Sequence, residues 1–360
     1  MPRANSPRTL IKSRFLNLVL LGVALVWVLV RSGTGVYPAL EWYLPIVVQW
    51  PVRSSAEFES YLSDSPIGII AAQSLGATNE SGFLLLSLIV VISSLFALAV
   101  WTALQTGSQE KWRAARLAIL APIGGVVLTW VGSYDAFTLA IWVLVLFAWS
   151  YGNRPVLILS GVLLGFQHSE VALLGVIILT AIWLAVKTDL SSQLSRKNPA
   201  WLLIGVIAGR VLLEIVFRTN QQSGNGRSEW VLRFLVEWNK TGINIAPQLL
   251  WSLFAGFWVL VILLILVHWN QRYVVLFGIS ILIGIIALIV SGDRPRVFIL
   301  VFFPALLLMT IAFLRNNRIT IREKRLAEVI IWLAPPLIFW GKEVANSNVI
   351  DLGTVLIQKL

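Results

Sequence analysis

Residues 132–135, with the sequence Gly-Ser-Tyr-Asp, separate two apolar runs and place the carboxylate of Asp135 at their joint. Each run is just long enough to cross a bilayer, so this break is predicted to lie at a membrane face. A carboxylate held there, partly out of water, could act as a general base. Tyr134 is a candidate substrate-binding residue of the same break. Ser133 and Asp135 could instead cap the following helix.

A second polar break contains Gln167, His168 and Glu170. An acid and an imidazole two residues apart could share a proton or orient a hydroxyl nucleophile, so His168 and Glu170 are candidate catalytic residues. Gln167 is a candidate substrate-binding residue, because its neutral amide can hydrogen-bond to a sugar. The alternative is a helix that ends in water.

A third break contains Asp293, Arg294, Pro295 and Arg296. Two guanidinium groups beside a proline that limits the backbone could hold the phosphate of a lipid carrier, since arginine suits phosphate oxygens. All three residues with charged side chains are therefore candidate substrate-binding residues. The alternative is a solvated turn in which Asp293 pairs with one of the arginines.

Charged residues also occur elsewhere in apolar surroundings. Arg210 and Glu214 lie one helical turn apart within an apolar run, so they could pair on one helix face. Arg210 is an alternative phosphate ligand, although the pair could equally be a structural clasp between helices. Glu41 belongs to a segment rich in aromatic and acidic residues and is a second candidate base, with surface solvation as its alternative. Asp64, in the same segment, is expected to be a solvated loop acid.

Composition places the chain in a membrane. Hydrophobic residues make up 58% of the sequence, charged residues make up 12%, and the mean hydropathy is +0.84. These values lie outside the range of soluble globular domains. The absence of cysteine excludes disulfides, thiolate metal sites and a cysteine nucleophile, and the two histidines, His168 and His268, do not form a zinc motif. No metal site is predicted, and a divalent cation is left open as a cofactor.

The apolar runs predict an all-α fold: one polytopic bundle, residues 1–360, with about eleven membrane spans, within a range of nine to twelve. Two longer outer segments are predicted at 33–81, with helices lying in the membrane interface, and at 218–246. The spans are expected at 16–32, 82–104, 117–131, 136–150, 155–166, 171–187, 200–218, 247–267, 273–290, 297–314 and 326–341.

The distribution of charge gives the bundle a direction. Segments predicted to be cytoplasmic hold 17 Lys and Arg residues and 3 acids, whereas the outer segments hold 10 and 12. This follows the positive-inside rule, with the N-terminus cytoplasmic, the C-terminus extracytoplasmic, and a bacterial inner membrane as the expected location. The net charge of +11 is thereby explained without nucleic acid as a partner. All three polar breaks fall on the outer side.

This layout resembles the GT-C class of integral membrane glycosyltransferases. The resemblance rests on a first span that begins on the cytoplasmic side, on the long first outer segment and on the polar residues gathered on the outer face. It implies that an outer acid activates the acceptor while basic residues hold the phosphate of a polyprenyl-phosphate sugar. Glu41 occupies roughly the place of the family's acid, Asp135 is a second candidate, and Arg294 and Arg296 would hold phosphate. No D-x-D or E-x-D pair follows the first span, which favours Asp135 over Glu41.

The expected function is transfer of a sugar from a lipid-phosphate donor to an acceptor on the extracytoplasmic face. The expected partners are the lipid bilayer, a polyprenyl-phosphate-linked sugar, and a glycan or lipid acceptor. A polysaccharide polymerase or ligase would use similar groups. The alternatives from other classes are a transporter or lipid flippase, with Arg210 and Glu214 in the substrate path, and a non-catalytic membrane scaffold.

Overall fold

Helices account for most of the chain that the computed structural model describes, namely residues 7–52, 62–108, 110–220, 246–269, 271–290, 294–337, 339–340 and 343–344. Helix formation follows from the apolar composition, because a helix satisfies its own backbone hydrogen bonds where water is absent. In chain order the helices are α1 Pro7–Ser32, α2 Leu40–Gln49, α3 Pro66–Leu75, α4 Glu80–Gln105, α5 Lys111–Leu120, α6 Pro122–Thr129, α7 Asp135–Tyr151, α8 Arg154–Val186, α9 Ser192–Ser195, α10 Trp201–Thr219, α11 Ala246–Phe254, α12 Trp258–Val267, α13 Gln271–Val290, α14 Arg294–Arg315 and α15 Ile321–Leu333.

Five helical stretches among the described residues are long and apolar enough to cross a membrane, and a sixth is added if the pair α5 and α6, bent by 42°, is one span. These helices confirm the prediction of a helical bundle with membrane-spanning character. The predicted number of eleven spans is not confirmed. The five stretches are Phe15–Ser32, Glu80–Gln105, Arg154–Val186, Leu250–Val267 and Pro295–Arg315.

The span predicted at 326–341 is wrong as one continuous helix. Helix α15 ends at Leu333, and Pro335 and Pro336 follow, neither of which can donate a backbone hydrogen bond to extend a helix. Two short antiparallel strands, β1 Phe339–Trp340 and β2 Glu343–Val344, come next. The predicted second outer segment, 218–246, lies largely outside the described residues.

The spans predicted at 155–166 and 171–187 lie in one helical element, α8, which is broken at His168 (φ −159°, ψ 76°). As a straight helix its 33 residues would extend roughly 50 Å. Instead, Lys197 Nζ, which follows α8, donates to the carbonyl oxygen of Gly152, which precedes it, at 2.8 Å. Both ends of α8 therefore lie near the end of α7 that contains Tyr151, and α8 turns back on itself at His168.

The first half of α8 packs against α10 through two pairs of glycines with the spacing G-x-x-x-G, Gly161 with Gly165 and Gly205 with Gly209. A Cβ atom at Gly165 would lie 2.1 Å from the carbonyl oxygen of Val206. Small residues at this spacing allow two helix backbones to approach each other closely. Because glycine has no side chain, these four positions allow α10 to pack closely against α8.

Helix α14 is the central helix, because 94% of its apolar stretch is buried within the protein. Its two ends define the two ends of the bundle. Near its start, Arg296 contacts Asp135, and this region is called the Asp135 end. At its last residue, Arg315 Nε donates to the carbonyl oxygen of Asp189 at 3.1 Å, and this region is called the Asp189 end.

Candidate functional site

The break between α6 and α7 is held in place by the segment that follows α1. Tyr37 N donates to Val131 O at 2.9 Å and Val131 N donates to Gly35 O at 3.0 Å, forming a short parallel bridge. Gly132 then adopts φ +92°, a conformation that glycine tolerates far better than other residues. The chain thereby turns sharply into α7 and brings Asp135, its first residue, into the interior.

Asp135 forms a buried ion pair with Arg296. Arg296 Nη1 donates to Asp135 Oδ2 at 2.6 Å, and Arg296 Nη2 donates to the hydroxyl of Tyr134 at 3.1 Å. The side chains of Arg296 and Asp135 are only 1% and 0% exposed. Removing two charges from water is costly, and close, hydrogen-bonded geometry is what offsets that cost. The pair therefore fixes the start of α14 against the break before α7.

Aromatic rings enclose this ion pair. The Arg296 guanidinium lies 4.8 Å from the ring centre of Trp130 and 5.4 Å from that of Tyr134. The ring of Tyr37 lies against both, with centroid separations of 6.2 and 6.3 Å. Attraction between a cation and an aromatic face strengthens when water is excluded. Trp130, Tyr134 and Tyr37 thus form an aromatic shell around Arg296.

This geometry corrects one interpretation made from the sequence. Asp135 is not a partly solvated carboxylate at a surface, since it is fully buried and bonded to Arg296. The cap position of α7 is Tyr134, whose side chain forms no cap hydrogen bond, and Asp135 is the first residue of the helix. In this arrangement Arg296 holds the protein's own carboxylate and not a ligand's phosphate. Asp293 and the side chain of Arg294 lie outside the described residues.

The second polar break joins the same region. Gln167 Oε1 accepts a hydrogen bond from the backbone N–H of Ile67 at 2.8 Å, and Gln167 Nε2 donates to Tyr134 O at 3.2 Å. The His168 ring lies 5.5 Å from that of Tyr134, and its Nδ1 is 3.7 Å from Glu170 Oε2. Gln167 therefore connects α3, α7 and α8, while the Glu170 side chain, 45% exposed, reaches the surface.

Arg210 bonds to Glu214 at 2.5 Å, the one-turn pairing that their spacing allows. It also lies 3.6 Å from Asp64, whose side chain is fully buried. The interpretation of Asp64 as a solvated loop acid is therefore wrong. The reason is that the segment before α3 folds against α10 through Arg210, while the start of α3 itself is held against α8 through Gln167, so the segment does not extend into water.

Glu41 lies apart from the ion pair, in an open groove of about 700 Å³ at the Asp135 end. The groove lies between the start of α2 and the start of α4, and Glu80 also lines it. Tyr37 lines the groove and belongs to the aromatic shell, so it connects the groove to the buried pair. Glu41 is exposed, whereas Asp135 is not. The two candidate bases thus occupy very different environments.

Sequence reasoning missed Trp130, Tyr37 and Asp64. Trp130 and Tyr37 were indistinguishable in the sequence from the many aromatic residues near span ends. Asp64 carried a weak signal, since it is followed by Ser65 and Pro66 at the start of an apolar helix. Among the described residues, no group of three or more His, Asp or Glu side chains is placed to hold a metal ion.

No protein-family model, no curated protein sequence and no solved structure matches this chain. The resemblance to GT-C enzymes therefore remains a prediction from the sequence pattern. Chemically, the Asp135 end combines an exposed carboxylate in a groove, an arginine held in an aromatic shell, and a second, three-residue charge cluster at Arg210.

Proposed function

We propose that this protein is a membrane glycosyltransferase that moves a sugar from a lipid-phosphate donor to an acceptor at the Asp135 end of the bundle. The observation that carries the proposal is the open groove that contains Glu41 and that shares Tyr37 with the aromatic shell around Arg296. It supplies an accessible carboxylate, and glycosyl transfer needs a base. The positive charge that the reaction also needs is assigned to Arg294, at the start of the helix that the buried pair positions.

Glu41 is the better candidate for the general base. A base must come within hydrogen-bond reach of the acceptor hydroxyl, and Glu41 is exposed within a groove of about 700 Å³. Asp135 is enclosed and already bonded to Arg296. The preference for Asp135 drawn from the sequence is thus reversed, and Asp135 becomes a positioning residue that holds Arg296.

Arg294 is the proposed ligand of the lipid phosphate. It is the first residue of α14, two residues before Arg296, so the ion pair between Asp135 and Arg296 fixes the part of the helix that contains Arg294. A cation there would stabilise the charge that develops on the departing lipid phosphate. Tyr134, Gln167, His168 and Glu170 remain candidates for donor or acceptor contacts.

We also infer that the chain crosses the bilayer about ten times, within the predicted range of nine to twelve, with the shorter helices α7 and α13 and the two halves of α8 among the crossings. Support comes from contacts that alternate between the two ends of the bundle along the chain. Asp135 and Arg296 meet at one end, and the residues Gln105, Ser191 and Arg315 meet at the other. A cytoplasmic N-terminus and an extracytoplasmic Asp135 end are part of this proposal.

The test is transfer of radiolabel from polyprenyl-phosphate sugars by the purified protein. We expect Glu41→Gln to lower turnover by at least about 100-fold, as expected for loss of a general base. Glu80→Gln is the matched control, because it removes a carboxylate from the same groove and should retain most activity. Full turnover in Glu41→Gln would remove Glu41 from the role of base. Identifying the labelled product would separate simple sugar transfer from a polymerase or ligase reaction.

Transport is the second candidate function, favoured by Arg210 with Asp64 and Glu214. A charge cluster within an apolar helix is a common feature of substrate pathways through membranes. Lack of turnover with every donor tested, together with lipid or solute flux in proteoliposomes that Arg210→Gln abolishes, would favour transport. Turnover that depends on Glu41 would exclude it as the main activity.

A further inference from the structure

A polar cavity of about 680 Å³ lies at the Asp189 end, opposite the proposed active site. It is formed where the end of α8, the connection between α12 and α13, and the end of α14 meet. Two arginines, Arg315 and Arg318, line it together with Asn316, His268 and Tyr273. Nothing in the proposed glycosyl transfer uses this cavity.

Asp189 is the acid among the described lining residues, and its charge is held within the protein. His268 Nε2 lies 2.7 Å from Asp189 Oδ2 and 3.1 Å from Asn316 Nδ2. His268 in turn stacks on Tyr273, with ring centroids 4.6 Å apart and planes 16° apart. The Asp189 carboxylate therefore lies against the His268 ring, and the described lining holds two arginines to one acid, an excess of positive charge.

Arginine is the side chain best suited to bind phosphate, because its planar fork of N–H groups matches two phosphate oxygens at once. Arg315 and Arg318 are both exposed, so their guanidinium groups can reach a ligand in the cavity. Arg315 Nε is anchored on the carbonyl oxygen of Asp189, and Arg318 Nη1 lies 3.5 Å from that of Val267. These anchors limit the freedom that each arginine would lose on binding an anion.

An apolar groove of about 570 Å³ adjoins the cavity on the outside of the bundle. It is lined by Leu184 of α8 and by Arg272, Val275 and Leu276 of α13. Arg272 directly precedes Tyr273 of the cavity, and Leu184 lies one helical turn before Thr188, which also lines it. The apolar groove therefore lies beside the cationic polar cavity, between two apolar helices.

The depth of the cavity matches a membrane boundary. Arg296 and Arg315 are separated along α14 by a rise of roughly 28 Å, close to the thickness of the hydrocarbon core of a bilayer. Trp269 in the cavity wall is 70% exposed, and tryptophan is enriched where membrane meets water. A phosphate in this cavity would lie at headgroup depth, with the groove beside the acyl chains.

We propose that this cavity binds one anionic phospholipid, with the headgroup phosphate held by Arg315 and Arg318, Arg272 at the rim, and an acyl chain along the groove of Leu184 and Leu276. The combination decides the class of ligand. A soluble phosphate would use the arginines but not the groove, and a zwitterionic lipid would use the groove but gain less from the positive charge. This site does not depend on the proposed glycosyl transfer.

Native mass spectrometry of the full-length protein in detergent tests the proposal, using dioleoyl-phosphatidylglycerol, dioleoyl-phosphatidylcholine and glycerol phosphate as separate probes. We expect phosphatidylglycerol to bind at least about 10-fold more tightly than phosphatidylcholine, and Arg315→Gln with Arg318→Gln to remove this preference. Arg315→Lys with Arg318→Lys keeps the charge and should retain most of the preference, which separates loss of the site from loss of the fold.

Arg322→Gln with Arg325→Gln is the matched control, because it removes the same charge from exposed positions of α15 outside the cavity. Retained preference in this variant supports the site. An equal loss would reveal attraction by the overall charge of the protein and overturn the proposal. So would binding of glycerol phosphate as tight as that of phosphatidylglycerol, since it would show that the groove contributes nothing. No sugar donor is present, so neither result affects the proposed function.

Discussion

The two ends of the bundle use charge in opposite ways. At the Asp135 end, Asp135 and Arg296 are buried and enclosed by aromatic rings. At the Asp189 end, Arg315 and Arg318 are exposed and line a polar cavity. A buried pair fixes the positions of helices, because breaking it leaves a charge without water. Exposed arginines cost little to maintain and can meet a ligand, so charge near a site indicates binding only where water or ligand can reach it.

The largest effect is expected at the buried pair. Arg296→Met would leave the Asp135 carboxylate buried without its ionic partner, at a cost of about 3–5 kcal/mol in the free energy of unfolding. Unfolding in mixed micelles of detergent and dodecyl sulfate measures this change. Arg318→Met at the opposite end is the matched control and should change stability by less than about 0.5 kcal/mol, as for most surface substitutions.

The double variant Asp135→Leu with Arg296→Met sharpens the comparison. Replacing both charges by apolar groups removes the penalty of an isolated charge, so most of the stability lost in Arg296→Met should return. Loss of transfer activity in this stable double variant would identify the pair as functional as well as structural. A single Arg296→Met variant within about 1 kcal/mol of the wild type would contradict the account of the pair as a buried clasp.

An intermediate effect is expected at Glu328, which joins α5 to α15. Its two carboxylate oxygens accept from Arg113 and Arg116 at 2.8 Å each, and its side chain is 12% exposed. Glu328→Gln keeps the shape but removes the charge, and should cost about 1–3 kcal/mol by the same unfolding measurement. A cost as large as that of Arg296→Met would show that the difference in burial between Glu328 and the Asp135–Arg296 pair does not decide how much each contributes to stability.

The smallest effect is expected at the start of α15. Thr320 and Glu323 form a capping box, in which the backbone N–H and hydroxyl of Thr320 donate to the carboxylate and hold the pKa of Glu323 below its ordinary value of 4.5. Because the folded pKa is lowered, this stabilisation is present above pH 4.5 and is lost as the pH falls through the folded pKa.

Hydrogen exchange of the amides of 321–324, corrected for the intrinsic rate at each pH, measures this effect. The wild type should lose protection on acidification, whereas Glu323→Gln should start with less protection and show little further loss. Arg322→Gln, a neighbour outside the capping box, should behave like the wild type. If Glu323→Gln showed the same pH dependence as the wild type, the loss of protection would come from another titrating group.

Local patterns in the sequence predicted the features that depend on neighbours along the chain. The apolar runs predicted a helical membrane protein, and the polar breaks identified Asp135, Gln167 and Arg296 as candidate site residues. The spacing of Arg210 and Glu214 predicted that they could pair. Partners remote in sequence could not be predicted in this way. Asp135 and Arg296 are 161 residues apart, and only the packing of α14 against the break before α7 shows that they neutralise each other.

Burial was the second quantity that the sequence left undetermined. A carboxylate in a connecting segment is usually solvated, and Asp64 gave no strong sign that its segment folds inward. The turn at His168 could be placed as a polar break, but its backbone conformation depends on contacts of both halves of α8 with other helices. The groove beside Glu41 likewise exists only because α2 and α4 start near each other.

The glycines between α8 and α10 restrict which sequences can adopt this fold. A Cβ atom at Gly205 or Gly209 would lie 2.1 Å from a carbonyl oxygen of α8, and a backbone atom cannot move aside as a flexible side chain can. Even alanine would therefore force the two helices apart, and Arg210, the residue after Gly209, would move away from Asp64. Natural variation at positions 161, 165, 205 and 209 should be confined to glycine wherever the cluster of Arg210 with Asp64 is retained.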